Sequence, residues 1–170
     1  KEQLQKAGMT KTISAGFGAT KTVIPHAAGG YVYRKGKLNN MFFSLPPSLQ
    51  TAAGMSSTAT EMANWIIALQ NMQLLKKKSS MISLWAPAVL NNGKTGGFSH
   101  LLNGYAAGWP VIARAEHPAV APVGGGRSAV FVYLKDNLSI IILTNLSGGS
   151  PDVFIDELAG LFIPSGQENH

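Results

Sequence analysis

Apolar positions are densest between Val123 and Asn145. Leu138 to Thr144 is apolar on nearly every residue, and such a run predicts a strand covered on both faces, in the middle of a layered sheet. Ser128 to Leu134 predicts its partner, with Val130, Val132 and Leu134 on one face and Ala129, Phe131 and Tyr133 on the other. Lys135-Asp136-Asn137 between them is turn chemistry, because Asp and Asn bond their own backbone and tolerate positive φ. A helical period follows from Met62, Trp65, Ile66, Leu69 and Met72. Thr58 with Glu61 three residues on predicts a capping box at its start. Lys76-Lys77-Lys78 is expected near its end, where cations favour the helix dipole. Ser80 to Trp85 predicts a second short helix, ended by Pro87. Ser150-Pro151-Asp152 reads as a helix start, with Ser at the N-cap and Pro at the first position. Phe154, Ile155, Leu158, Leu161 and Phe162 would form its buried face, Asp152, Asp156 and Glu157 its polar side, and Pro164 its end.

Weaker patterns fill the rest. Lys1 to Ala7 predicts a short helix stopped by Gly8. From Ser14 to Thr51 the chain is rich in Gly, Ala, Pro, Asn and Ser, and reads as a wandering segment lying on a surface. Its best strand candidate is Gly30 to Lys37, with Lys35-Gly36 in a turn; Pro46-Pro47 forbids regular structure after Phe42-Phe43. Asn91 to Gly97 is a loop, Gly104 to Ala113 a strand irregular at Pro110, and Ala119 to Val123 a short strand. The fold class that results is α+β, an antiparallel sheet with helices packed on it, in one segment over residues 1–170.

Hydrophobic residues make up 45% of the chain and charged residues only 13%, a lean surface that suggests part of it is meant to be covered. The net charge of +6 comes from scattered lysines and the Lys76 run, without interleaved aromatics, so nucleic-acid binding is not expected. The absence of Cys excludes disulfides and thiolate metal sites. No apolar run reaches the length of a membrane span, and no signal peptide is read at the start, where Lys1-Glu2-Gln3 looks like the middle of a helix.

Candidate chemistry is sparse. Lys94-Thr95-Gly96 matches a substrate-strand triplet, but it lies in a Gly- and Asn-rich loop without apolar alternation, which favours a plain loop. Gly124-Gly125-Gly126 is either a flexible turn or a backbone that approaches a ligand closely. His26, His100, His117 and His170 have no paired spacing for a metal, and no cofactor is implied. The acids of the last helix are separated on a solvated face, with no reason for perturbed pKa values. No Ser has a Lys three residues later, no Gly-x-Ser-x-Gly occurs, and no Tyr has an Asn two residues on.

Four stretches in this order resemble the C-terminal part of the serine beta-lactamase and penicillin-binding-protein superfamily. Leu4 to Met9 with Thr12 is similar to its "PLGM-x-x-T" segment, and Thr51 to Trp65 to its "AAGGLxSTAxDMAxW" helix start. Gly104 to Trp109 is similar to "YGLGW", and Gly124 to Asn145 to the last two strands, ending in "LTN". The closest branch is that of class C beta-lactamases, D-alanyl-D-alanine carboxypeptidases and esterases.

The resemblance implies acyl transfer on an amide or ester of a small-molecule or peptide substrate, by a Ser activated by a Lys and a Tyr. Those motifs would precede this chain, which is then the C-terminal portion of a larger hydrolase, inactive alone. The family's cation–hydroxyl–Gly motif falls on Pro122, Val123 and Gly124, which carry neither group, so a peptidase- or esterase-like parent is expected over an efficient beta-lactamase. Gly125 maps to an oxyanion-hole amide, and Arg127 is a candidate displaced cation for the substrate. Without its preceding half, the strand Leu138 to Thr144 would be a bare edge, seeking that half, a second copy or a strand-swapped partner. An extracytoplasmic, periplasmic address follows from the resemblance alone. A non-catalytic binding or interaction module derived from the same fold is the competing expectation.

Overall fold

The computed structural model of the chain describes residues 1–18, 23–42 and 44–163. The stop expected at Pro164 lies outside them, as do Lys21, Phe43 and His170. Two short helices, α1 (Glu2–Lys6) and α2 (Thr10–Ala15), precede a hairpin of β1 (Gly30–Arg34) and β2 (Lys37–Met41). A 3-10 turn at Pro47–Leu49 and the short α3 (Gln50–Ala53) lead into α4 (Ala59–Gln70), and α5 (Lys78–Trp85) follows. Then come β3 (Gly104–Tyr105), β4 (Pro110–Ile112), β5 (Ala119–Val120), β6 (Val123–Gly124), β7 (Ser128–Tyr133), β8 (Leu138–Leu143) and β9 (Leu146–Ser147). A 3-10 turn at Pro151–Val153 and α6 (Ile155–Ala159) complete the described elements.

The strand β7 is the axis of the main sheet. Its register with β8 runs antiparallel from Ser128 opposite Leu143 to Tyr133 opposite Leu138. Its other edge takes β5 at the Tyr133 end and β6 at the Ser128 end, and β4 and β3 continue beyond β5, all antiparallel. Alternation along β7 sends Ala129, Phe131 and Tyr133 into a core shared with Ile155 and Ala159 of α6. Val130 and Val132 enter a second core with Ile66 and Leu69 of α4 and Met81 of α5. The sheet is therefore a layer between α6 and the α4–α5 pair, which is why both faces of β7 are apolar. A second sheet joins β2 antiparallel to β1, and β1 parallel to β9.

Several local expectations are corrected. The strand β8 has both faces covered, Leu138, Ile140 and Ile142 toward α6 and Ile141 toward α4, yet it is not central. Among the described residues β7 is its sole strand neighbour, so its outer edge is open. Residues 104–113 form two strands, because Ala106 donates its N–H to the Trp109 carbonyl and Gly108 turns at φ 83°. Residues 119–124 keep one register along β7, from Ala119 opposite Tyr133 to Gly124 opposite Ser128, and divide into β5 and β6 at Pro122, which has no N–H for the ladder. The lysine run lies past the end of α4 and opens α5 instead. Ser150 is left-handed, at φ 38°, and makes no side-chain cap; Pro151 starts a 3-10 turn before α6. On α6 and the turn after it, the buried residues are Ile155, Ala159 and Ile163, while Phe154, Leu161 and Phe162 are exposed. That shift of face follows from the delayed helix start, which rotates the stripe relative to an α-helix begun at Pro151.

The capping box is half formed. Thr58 accepts the Glu61 N–H at 3.2 Å, as an N-cap should. The Glu61 carboxylate does not return to Thr58; it accepts the Lys11 and Thr12 N–H groups at 2.8 Å each and the Thr12 hydroxyl at 2.6 Å. Three indoles then seat the helices on the sheet: Trp65 stacks on Trp109 at 5.7 Å, and Trp85 meets Trp109 edge-on at 5.7 Å.

Asp156 is also not on a solvated face. It accepts a bidentate pair from Arg114 at 2.8 Å and the Tyr133 hydroxyl at 2.9 Å. The Arg114 fork holds the Asp156 carboxyl below its usual value, against the opposing effect of burial. Burial, together with the bond to Asp156, pushes the Tyr133 phenol up. Tyr133 is 1% exposed. Tyr133→Phe deletes a hydrogen bond to a charged acceptor and leaves Arg114 in place, so it is expected to cost about 1.5–2 kcal/mol in urea denaturation. An unchanged midpoint would show that the bond is matched by water in the unfolded chain.

Candidate functional site

At the Ser128 end of β7 a cavity of about 680 Å³ opens between the two sheets and the approach to α4. The turn from β6 to β7 forms its floor. Gly125 and Gly126 occupy the two central positions with φ 54° and 63°, and the Arg127 N–H closes on the Gly124 carbonyl at 3.0 Å. That is the geometry of a type I′ hairpin turn, which admits glycine at both positions without strain. A Cβ at Gly124 would stand 2.5 Å from the Ser128 hydroxyl oxygen, which would have to rotate away. The two readings of the triple glycine thus coexist: it is a tight turn, and its backbone faces a cavity.

The end of β8 holds the walls together. Thr144 donates its N–H to the Arg127 carbonyl at 2.8 Å. Asn145 donates its side-chain amide to the Gly29 carbonyl at 2.9 Å and accepts the Tyr31 N–H at 2.8 Å, pinning the β1–β2 hairpin to the main sheet. The Leu-Thr-Asn sequence is therefore a hinge pin between sheets. Met41, Phe42 and Leu45 line the hairpin side, and Met55 and Ser56 the side leading to α4.

Among the sequence-predicted residues, Gly124, Gly125 and Arg127 line the cavity together. Pro122 and Val123 do not line it: Pro122 accepts the Val130 N–H within the sheet, and Val123 pairs with Ala129 on β6. The Gly125 N–H has no hydrogen-bond partner among the described residues. Among the described residues no acidic side chain lines the cavity, and Arg127 is on its wall. Lys94-Thr95-Gly96 is in a loop away from it, where the Leu90 N–H meets the Lys94 carbonyl. The sequence reading missed the wall made by Thr51 to Ser56; its small residues ahead of the Thr58 cap were the available signal.

His117 pairs its Nδ1 with Asp136 at 2.7 Å, but beyond the Tyr133 end of β7, the opposite end of that strand from the glycine turn. No cluster of three or more His, Asp or Glu that could hold a metal ion exists among the described residues. No described helix is long and apolar enough to cross a membrane.

An antiparallel sheet layered between a C-terminal helix and a helical pair, with a glycine turn opening on a cavity, is an α+β architecture. The Beta-lactamase family model matches residues 4–163, and the chain belongs to that family. A penicillin binding protein from Bacillus halodurans has the same fold, with a TM-score of 0.71 and 22% identity over 92% of this chain. The match spans 46% of that protein, so this chain corresponds to about half its length. No curated protein sequence matches the chain.

Proposed function

We propose that this chain forms the C-terminal portion of a beta-lactamase-related serine hydrolase and supplies the oxyanion side of its acyl-transfer site. The class C beta-lactamase, carboxypeptidase and esterase branch fits best. The observation that carries the reading is the Gly125 N–H, without a hydrogen-bond partner among the described residues, on the wall of the cavity. In such a site a serine oxygen adds to an amide or ester carbonyl, and the carbonyl oxygen becomes an oxyanion that the Gly125 N–H stabilises. The leaving amine or alcohol departs with a proton, and water then releases the acyl group.

The serine is not provided here, because no Ser in the sequence is followed by a Lys at the third position. The chain is therefore inactive alone, and the residues before it, or a polypeptide replacing them, complete the site. Pro122-Val123 in place of a cation and a hydroxyl favours ester or peptide substrates over penicillins, with Arg127 as the cation for a substrate carboxylate. The same replacement favours the second reading, a binding module that has lost catalysis.

A fluorophosphonate and a fluorescent penicillin test this directly. The purified 170-residue chain is expected to take no covalent label. The full-length gene product is expected to label with the fluorophosphonate, at a serine upstream of this chain. Stable labelling of the isolated chain would overturn its inactivity. An unlabelled full-length product would favour the binding module.

A further inference from the structure

We propose that the face carrying α5 docks on an anionic phospholipid surface. The sequence from Met62 to Ala115 contains no Asp or Glu and five Lys or Arg, although the whole chain has 8 acids. Three of those cations, Lys76, Lys77 and Lys78, are exposed at the start of α5, and none forms an ion pair among the described residues. Like charges at a helix N-terminus oppose the dipole, and no side-chain cap offsets them. The helix dipole does not account for this run, and a surface of negative charge would complement it.

Apolar groups accompany the charge on the same helix face. Lys78 and Ile82 fall at i and i+4 on the exposed side of α5, while Met81 and Trp85 pack toward the core. Ile82 is 65% exposed and borders a groove of about 320 Å³ that Met81, Trp85, Ala86 and Leu134 also line. The chain leaving α5 continues with exposed Val89 and Leu90. Basic residues with adjacent exposed aliphatic side chains suit a lipid interface, where the charges meet headgroups while Ile82, Val89 and Leu90 enter the acyl boundary. A soluble polyanion would use the lysines and have no use for Ile82.

The groove joins α5 to Leu134, at the Tyr133 end of β7, whereas the cavity lies at the Ser128 end. Docking through α5 would thus leave the mouth of the cavity away from the lipid, open to soluble substrate. The surface does not depend on the catalytic reading.

The test is co-sedimentation of the full-length gene product with vesicles of phosphatidylcholine alone or mixed with phosphatidylglycerol. It is read as the difference between wild type and variants, so that attachment supplied elsewhere in the polypeptide cancels. Replacing Lys76, Lys77 and Lys78 together by alanine is expected to weaken binding to the anionic vesicles on the order of 100-fold, and raised salt to weaken wild type likewise. Ile82→Asp is expected to weaken it about 10-fold while leaving the circular dichroism spectrum unchanged. Equal partitioning of wild type and the lysine variant overturns the proposal. So does wild-type affinity in Ile82→Asp together with tight binding to heparin, which would reduce the patch to a polyanion site.

Discussion

Glu61→Ala is expected to destabilise the chain by about 3–5 kcal/mol, because three hydrogen bonds to one buried carboxylate disappear together. Glu61 is 6% exposed and Thr12 fully buried. The amides of Lys11 and Thr12 belong to the first turn of α2, where a helix offers its own N–H groups no acceptor. Glu61 also sits in the first turn of α4, so one negative charge serves the N-terminal ends of two helices. In the alanine variant two buried donors lose their acceptor, and the Thr12 hydroxyl keeps only Ser57 at 2.7 Å. The contact of Ala7 and Met9 with Ala68 of α4 would loosen with them.

The pH dependence has a definite sign. Burial raises the Glu61 pKa, but the Thr12 hydroxyl and the Lys11 and Thr12 amides outweigh it and hold it below the ordinary 4.5. A carboxylate lowered on folding stabilises fully above its unfolded pKa, and that stability is lost as pH falls through the folded value. Glu61→Gln keeps the shape and cannot titrate. The gap between wild-type and Glu61→Gln urea midpoints should be wide at neutral pH and narrow in acid. A gap that stays constant across the acid range would show that the carboxyl's charge contributes nothing.

That clamp also marks the limit of what the sequence made legible. Thr58 and Glu61 at a spacing of three are a local signal, and the cap at Thr58 followed from it. The destination of the Glu61 carboxylate did not, because its partners are Lys11 and Thr12, some fifty residues earlier. The β7–β8 hairpin was readable because alternation, a continuous apolar run and an Asp-Asn turn agree, and Asn137 does take a positive φ of 51°. The Lys35-Gly36 turn was readable for the same reason. The turn at Ala107-Gly108 was not, since nothing local showed that Ala106 would close on Trp109, whereas the interruption at Pro122 is what a residue without an N–H does to a strand. Asp156 was misplaced because its partners, Arg114 and Tyr133, are remote in sequence and reach it only through the β4–β5 and β7–α6 packing. Of the site, the glycine turn could be named from local pattern and Arg127 only through the family resemblance, while the opposing walls at Met41 and Met55 needed the fold to bring them there.

Removing the single N–H of Gly125 is expected to slow acylation of the full-length gene product on the order of 100- to 1000-fold. The change is made by exchanging residue 125 for its α-hydroxy acid, so that an ester replaces one amide. The exchange also makes the Gly124 carbonyl, which accepts the turn's own bond from the Arg127 N–H, an ester carbonyl and a weaker acceptor, so stability is measured beside the rate. A donor to a developing oxyanion acts only when charge gathers on the carbonyl oxygen, so the loss should fall on the acylation rate constant and leave KM nearly unchanged. Two controls separate donor from turn. Gly125→Ala keeps the N–H and forces an L-residue to φ 54°; its Cβ has open space, with the nearest atom, on Arg127, 4.0 Å away. It should cost about 1–2 kcal/mol of stability and little rate. The same ester exchange at Gly126, whose N–H is not on the cavity wall, should cost neither. If the ester at 125 acylates as fast as the amide, the glycines serve the turn alone and the oxyanion must be held by groups elsewhere in the polypeptide.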